Sequence, residues 1–345
     1  MELALFDYEL PSDLIAQEPA EPRDASRLLV MDRARGAWVD RRFHDLPALL
    51  RSGDCVVANE SRVFPARLLG TLEPGGQPVE ILMLRPGPGS RWEALVRPGR
   101  RCRPGARVVV AAGDARIVIL AQKDEGVREV AVEAPWPVRE LLERHGLPPL
   151  PPYIARHDTP KPDDRERYQT VYARQEGSVA APTAGLHFTR ELLARLETVG
   201  AAVHYLTLHV GPGTFRPIRA ARVEEHRIAP EDVEIGEETA EAVNRARAAG
   251  RRVIAVGTTT ARALEWAARE GGGIRAGRGA ADLFIRPGHR FRAVDALVTN
   301  FHLPRSTLLV LVSAFCGREA VLAAYRHAVA ARYRFYSYGD AMFIA

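Results

Sequence analysis

One pattern constrains this chain more than any other, and it recurs through the second half. Apolar runs of strand character end in small polar turns rich in Gly, Thr and His, with amphipathic helices between them. Alternating strands and helices build an α/β sheet, and in such a sheet the turns that follow parallel strands gather on one edge. Four turns of this kind therefore point to one shared site.

The first is GSVAAPTAGLHFT, Gly177 to Thr189, just before a helix over 190–199. It offers the hydroxyls of Ser178, Thr183 and Thr189, the ring of His187 and a glycine at 185, with few bulky groups in the way. The second, TLHVGPGTF, places His209 where an apolar run breaks into a Gly-Pro-Gly turn. The third, VGTTTAR at 256–262, joins a strand to a helix start, where free N–H groups and the helix dipole favour an anion. The plainer reading is that Thr258 or Thr259 only caps that helix. The fourth, TNFHLPRST at 299–307, also lies between a strand (296–298) and a helix (308–315).

Between residues 66 and 133 the pattern changes. Six short runs of alternating or β-rich character (67–72, 79–84, 92–96, 108–111, 116–120 and 127–132), punctuated by Pro-Gly pairs, read as a small barrel. A helix over 137–145 and a proline-rich connection over 146–169 follow. The expected architecture is multidomain α/β: an α/β sandwich-type catalytic domain over 1–65 and 153–345, interrupted by a small inserted β-barrel domain over 66–152. Its remaining elements are strands at 28–31, 55–58, 202–208, 253–256 and 283–285, and helices near 46–50, 238–249 and 261–269. The glycine-rich stretch 271–281 reads as a loop.

At 345 residues the chain can bury a large core. No apolar run approaches the roughly 20 residues that span a bilayer, and MELALFDYELP lacks the regions of a signal peptide, so a cytoplasmic location is expected. Three scattered cysteines exclude a disulfide framework or a Cys-rich metal site. A net charge of +5 permits a polyanionic partner. All basic residues but Lys123 and Lys161 are arginine, which inflates any cluster. Even so, 85–107 holds seven arginines against Glu93 alone, either a nucleic-acid contact or a solvated face.

GxGxxG, the phosphate-loop lysine motif, HExxH and GxSxG are all missing. His187, His209, His226 and His302 lie in the polar turns without metal-ligand spacing, so acid–base chemistry is their natural use.

These segments resemble the S-adenosylmethionine:tRNA ribosyltransferase-isomerases of queuosine biosynthesis over nearly the whole chain. The marks are FDYELPSDLIAQEP, RDASRLLV, a stretch ending VFPARL, PPYI, YQTVYA, the four turns above, GTTTARALE, DLFIRPG and YRFYSYGDAMFI. The resemblance implies transfer of the ribosyl part of S-adenosylmethionine to 7-aminomethyl-7-deazaguanine at the tRNA wobble position. Adenine and L-methionine are released, and epoxyqueuosine is left on the tRNA. S-adenosylmethionine is then a co-substrate, with no metal and no other cofactor, and the partners are that tRNA and that donor, without membrane or obligate protein partner.

Carried onto this sequence, the resemblance implies His187 as base, with Asp340 as acid and His302 as a further catalytic candidate. Thr183, Gly185, His209, Gly211, Gly213, Thr214, Asn300, Ser306 and Tyr338 become substrate-binding residues. Thr258, Thr259 and Arg262 suit an anionic group such as the methionine carboxylate, and Arg97, Arg100 and Arg101 suit tRNA. The chain departs from the family where His-x-Met-His-x-Glu is usual: it has His226, Ile228, Ala229 and Glu231. It also has Ala281 and His289 where Thr and Tyr are usual. The rival classes are a non-catalytic tRNA-binding module, which predicts binding without adenine release, and a methyltransferase using the same donor, which predicts S-adenosylhomocysteine.

Overall fold

The computed structural model describes residues 1–156, 159–211, 218, 220–268 and 273–345. In chain order its strands begin with β1 (Arg27–Asp32), β2 (Ala37–Arg42), β3 (Cys55–Asn59), β4 (Ser61–Val63), β5 (Arg67–Glu73) and β6 (Pro78–Pro86). Then come β7 (Arg91–Arg97), β8 (Arg107–Val110), β9 (Ala115–Gln122), β10 (Val127–Glu133) and β11 (Gln175–Ser178). The last are β12 (Ala202–Leu208), β13 (Glu231–Ile235), β14 (Val253–Val256), β15 (Gly277–Ala281), β16 (Ala296–Asn300) and β17 (Ala341–Ile344). The helices are α1 (Leu46–Leu49), α2 (Val138–His145), α3 (Asp164–Arg167), α4 (Arg190–Thr198), α5 (Glu237–Ala248), α6 (Thr258–Ala267), α7 (Thr307–Cys316) and α8 (Arg318–Ala330). No single helix among the described residues is long and apolar enough to cross a membrane.

Two compact units form. One comprises Met1–Ser61, Gln169–Gln175 and Pro182–Ala345, the other Arg62–Tyr168 and Glu176–Ala181. In the first unit nine strands make one sheet in the order β15-β13-β12-β3-β14-β16-β17-β1-β2. The central strands β3, β14 and β16 are buried at every position, as expected where a sheet is covered on both faces. Alternate residues Val56, Ala58, Ile254, Val256, Ala296 and Val298 pack with Phe188, Leu192 and Leu196 from α4 and its approach. The residues between them on each strand face the other way, which is why these runs read as continuous rather than alternating.

In the second unit β5–β10 close into a barrel, in the order β10-β7-β6-β5-β8-β9. Its six strands fall on the six runs read from the sequence. Val79, Ile81 and Met83 point inward from β6, Ala94 and Val96 from β7, and Ile117 and Ile119 from β9. Leu141 and Leu142 of α2 are buried in the same core, as are Phe64 and Val179. Packing of this kind takes the unit past residue 152, where the sequence drew its edge, to Tyr168 and to Glu176–Ala181.

Two local expectations are corrected. Leu283–Ile285 is not a strand, and the glycine-rich stretch expected as a loop supplies β15, paired antiparallel with β13. One of its glycines has a packing reason: a Cβ on Gly279 would sit 2.4 Å from the Trp266 ring of α6. The edge strand β2 carries charged residues at several positions and gave no apolar alternation to read, and β13, paired between β15 and β12, has only Val233 and Ile235 as apolar residues among three acidic ones.

Candidate active site

Strands β12, β3, β14 and β16 run parallel, so their carboxyl ends share one edge. Strand β17 is antiparallel to β16 and starts at that edge, with Ala341 opposite Asn300. Strand β1, parallel to β17, starts there too, with Leu28 opposite Ala341. Topology thus brings His209, the Gly257–Arg262 turn, Asn300 to His302, Tyr338 to Asp340 and Ser26 to one edge, although they span most of the chain.

The Thr183–His187 turn is a short 3-10 helix laid on this edge. Gly185 is required there, since a Cβ would lie 2.1 Å from the Tyr172 hydroxyl. The neighbouring Ala184 sits 3.6 Å from where a Cβ of Gly257 would be, so this turn and the turn after β14 adjoin. A polar chain then runs through the site. Thr183 Oγ1 donates to Asn300 Oδ1 at 3.0 Å, Asn300 Nδ2 donates to His187 Nε2 at 3.0 Å, and His187 Nδ1 meets Ser26 Oγ at 2.7 Å. With the amide so oriented, the ring proton sits on Nδ1 and is donated to serine.

His187 is buried and stacks on Phe43 with ring centroids 4.9 Å apart. Burial, with Arg334 and Arg23 adding to it, pushes its pKa down to about 3. Both ring nitrogens are engaged and the ring holds a proton weakly, so the geometry suits orientation of Asn300 and Thr183 better than the base role expected from the sequence. Of the four groups only Thr183 is half-exposed, and its hydroxyl is the end that a ligand can reach. His302 is equally enclosed. Its Nε2 lies 2.8 Å from Thr299 Oγ1, its backbone N–H donates to the Tyr325 hydroxyl, and burial takes it to about 3 as well.

His209 differs. The residue is part-exposed, and its buried Nδ1 has no hydrogen-bond partner among the described residues. Burial lowers its pKa, opposed by Asp232 and Glu234. Two residues on, the Gly211 N–H donates to Glu231 Oε1 at 2.8 Å, and the other oxygen of this buried carboxylate is paired with Arg262. Arg262 is buried on α6, and desolvation pulls it down to about 10.

The N-cap of α6 is Gly257, so neither Thr258 nor Thr259 is the cap residue. With Arg262 they line a small cavity of about 20 Å³, room for about one water molecule, alongside apolar residues including Leu283, Phe284 and Leu311.

Other expected site residues have structural work. Ser306 caps α7, accepting from Leu309 N at 3.2 Å and donating to the Leu303 carbonyl at 2.7 Å. Asp340, expected as an acid, accepts from the backbone N–H groups of Arg27 at 2.9 Å and Arg334 at 2.7 Å, tying the C-terminal turn to β1. Tyr338 is buried beside it. Gly213 and Thr214 lie outside the described residues.

Sequence reasoning missed Ser26, which the RDASRLLV block contains but nothing local singles out. It also missed Glu265, a buried carboxylate of α6. Glu265 accepts from the backbone N–H groups of Arg292, Ala293 and Val294 at 2.8–3.1 Å and meets His289 Nε2 at 3.1 Å. Among the described residues no group of three or more His, Cys, Asp and Glu is arranged to hold a metal ion.

The barrel unit carries its own charged feature. Arg85 pairs with Glu93 at 2.6 Å and Arg91 with Glu129 at 3.1 Å, so these two arginines are partly neutralised. Arg97, Arg100 and Arg101 are exposed around the turn that follows β7. Arg128, buried, braces that turn by donating to the carbonyls of Gly99 at 3.3 Å and Cys102 at 3.4 Å. Nothing in its sequence setting marks Arg128 for this task.

Known proteins extend the reading. The family model described as queuosine biosynthesis protein matches residues 3–344. A relative from Symbiobacterium thermophilum, named S-adenosylmethionine:tRNA ribosyltransferase-isomerase, is 53% identical over 344 residues, covering 100% of both chains. Another of that name from Anaeromyxobacter sp. is 55% identical, covering 100% of this chain and 99% of its own. The crystal structure of S-adenosylmethionine tRNA ribosyltransferase from Thermotoga maritima matches with a TM-score of 0.56 at 38% identity, over 99% of this chain and 100% of that one. The match is unbroken from residue 3 to 344 and the relatives exceed half identity from end to end, so the chain belongs to the queuosine biosynthesis protein family.

Proposed function

We propose that this chain is a transferase-isomerase that acts on tRNA. It moves the ribosyl part of S-adenosylmethionine to the amine of 7-aminomethyl-7-deazaguanine at the wobble position, recloses the ribose carbons as an epoxide-bearing cyclopentane, and releases adenine and L-methionine. The observation that carries the reading is the end-to-end family match, with full-length relatives that bear the enzyme's name. The gathering of the polar turns on one sheet edge supports it, because a single centre then has a histidine, an anion-binding helix start and an oriented hydroxyl within one α/β unit.

The reaction begins with removal of a proton from the ribose carbon next to the sulfonium. A base for this step needs a ring nitrogen not held in a hydrogen bond and a pKa not driven far from neutrality. His209 meets both conditions better than His187 or His302, and we assign it the role. The Ser26–His187–Asn300 chain fixes the Thr183 hydroxyl, whose proton is held by Asn300, so its lone pairs face the ligand. Such an acceptor suits a ribose hydroxyl or the positively charged sulfonium.

The donor serves without a metal or a further cofactor in this reading. Chelators leave the rate unchanged, whereas stoichiometric zinc or iron lost together with activity would count against it. Donor labelled in the ribose carbons transfers its label to tRNA that carries the deazaguanine amine, and a tRNA that gains no ribose carbon contradicts the assignment.

Arg97, Arg100 and Arg101 hold tRNA phosphates. The triple alanine variant weakens tRNA binding and flattens its salt dependence by about one unit of slope for each phosphate no longer neutralised. An unchanged slope makes that face merely solvated.

A further inference from the structure

Asp340 is taken up by two backbone N–H groups, so a departing adenine needs its acid from another residue. Glu60 stands at the right edge. It follows β3 directly, its N–H donating to the Leu206 carbonyl at 2.9 Å and its carbonyl accepting from Arg174 N at 2.8 Å. Strand alternation puts it on the face of Ala58, which lies opposite Tyr205 of β12, and Glu234 of β13 joins that face opposite Thr207. Tyr205 packs against Tyr172 with ring centroids 5.3 Å apart, and the Tyr172 hydroxyl abuts Gly185, so this face adjoins the turn that carries Thr183.

The Glu60 side chain is 15% exposed, and its Oε2 is buried without a hydrogen bond, since Arg174 stops 3.7 Å away. A buried oxygen in that state is rare and calls for an explanation, which a ligand supplies. Burial pushes the carboxyl above the usual carboxylate range, Arg174 pulls it back, and the like charge of Glu234 adds to the rise. Beside it lies the flat ring of Tyr205. The Arg174 guanidinium covers that ring 5.6 Å from its centroid, and a side chain 70% exposed is free to swing aside for a planar group. A protonated carboxyl donates from one oxygen and accepts at the other, so it matches a heterocycle with an acceptor nitrogen next to an amino group. Adenine has that edge, in N7 and the N6 amino group.

We infer that Glu60 is the acid that protonates the departing adenine, with the base lying on the ring of Tyr205; this rests on the function proposed above. The carboxyl donates to N7, and its other oxygen accepts from the amino group. When the bond from the ribose carbon to N9 breaks, its electron pair goes to the base, and a pair from the ring oxygen replaces it at carbon. The Glu60 proton passes to N7, neutral adenine leaves, and the Glu60 carboxylate is reprotonated from water before the next turnover.

Donor binding and single-turnover release of the base test this, in the full chain with amine-bearing tRNA. Two donors are compared, S-adenosylmethionine and its analogue with N7 replaced by a C–H group, in wild type, Glu60→Gln and Glu60→Ala. An amide donates to N7 and accepts from the amino group just as the acid does, but has no proton to give. Glu60→Gln therefore binds S-adenosylmethionine nearly as wild type does and releases adenine roughly 10²- to 10⁴-fold more slowly, whereas Glu60→Ala also loses affinity. The analogue slows wild type by a similar factor, and Glu60→Gln slows it no further, because both changes remove the same proton transfer. The ratio between donors does not depend on how much of a preparation is folded. Slowing by one common factor on both donors, or a Glu60→Gln affinity as weak as that of Glu60→Ala, overturns the assignment. If wild type releases no base from either donor, the functional reading falls, and affinities that still rank wild type and Glu60→Gln above Glu60→Ala keep Glu60 as the adenine contact.

Discussion

Replacing His209 by alanine lowers turnover by roughly 10²- to 10⁴-fold, the usual loss when a positioned general base is removed, and leaves donor and tRNA affinity nearly intact. The pH profile carries the same signature. Because burial lowers the ring's pKa, the base stays unprotonated below the ordinary histidine value of about 6.5, so the rate is flat near neutrality and falls only as the pH drops under that value. The alanine variant loses that acid limb. His187→Ala behaves differently: it removes the partner of Asn300 and Ser26, so it costs melting temperature and donor affinity, while turnover at saturation falls less than for His209→Ala. Saturated turnover that survives loss of His209 but collapses with His187 reverses the assignment.

Glu265→Ala has the largest expected effect on stability. Burial alone would raise this carboxyl, but the hydrogen bonds from His289 and from the N–H groups of Arg292, Ala293 and Val294 outweigh it and hold it below the usual range. Removing it strands those donors, a loss of about 3–5 kcal/mol by analogy with breaking one side of a buried ion pair. Glu265→Gln keeps part of the acceptor set and loses less. A carboxyl depressed in the folded state stabilises above its unfolded value of about 4.3, and that contribution disappears as the pH falls through the lower folded value. Wild type therefore loses melting temperature on acidification below about 4.3, and Glu265→Gln loses less over the same window. Equal acid sensitivity in the two proteins places the effect elsewhere.

The barrel was legible because each strand alternates within a short span and ends at a Pro-Gly or similar turn: Val79, Ile81 and Met83 go in while Glu80 and Leu82 stay less buried. The polar turns were legible as strand ends. What joins them was not, since Ser26 reaches His187 only because β1 starts where β17 starts, and that pairing is settled by residues more than three hundred positions apart. Local pattern likewise could not tell a histidine with both nitrogens occupied, such as His187, from one with a nitrogen to spare, such as His209. Edge strands such as β15 escaped because a glycine-rich strand packed on Trp266 looks like a loop until its neighbour is known.

Quantifying small-molecule products by mass spectrometry, after wild-type protein has acted on S-adenosylmethionine and tRNA bearing the deazaguanine amine, tests the central claim. Adenine and methionine are expected in equal amounts, matched by the ribosyl-derived mass gained by the tRNA. Tight tRNA binding without adenine, or S-adenosylhomocysteine with methylated tRNA, would contradict it.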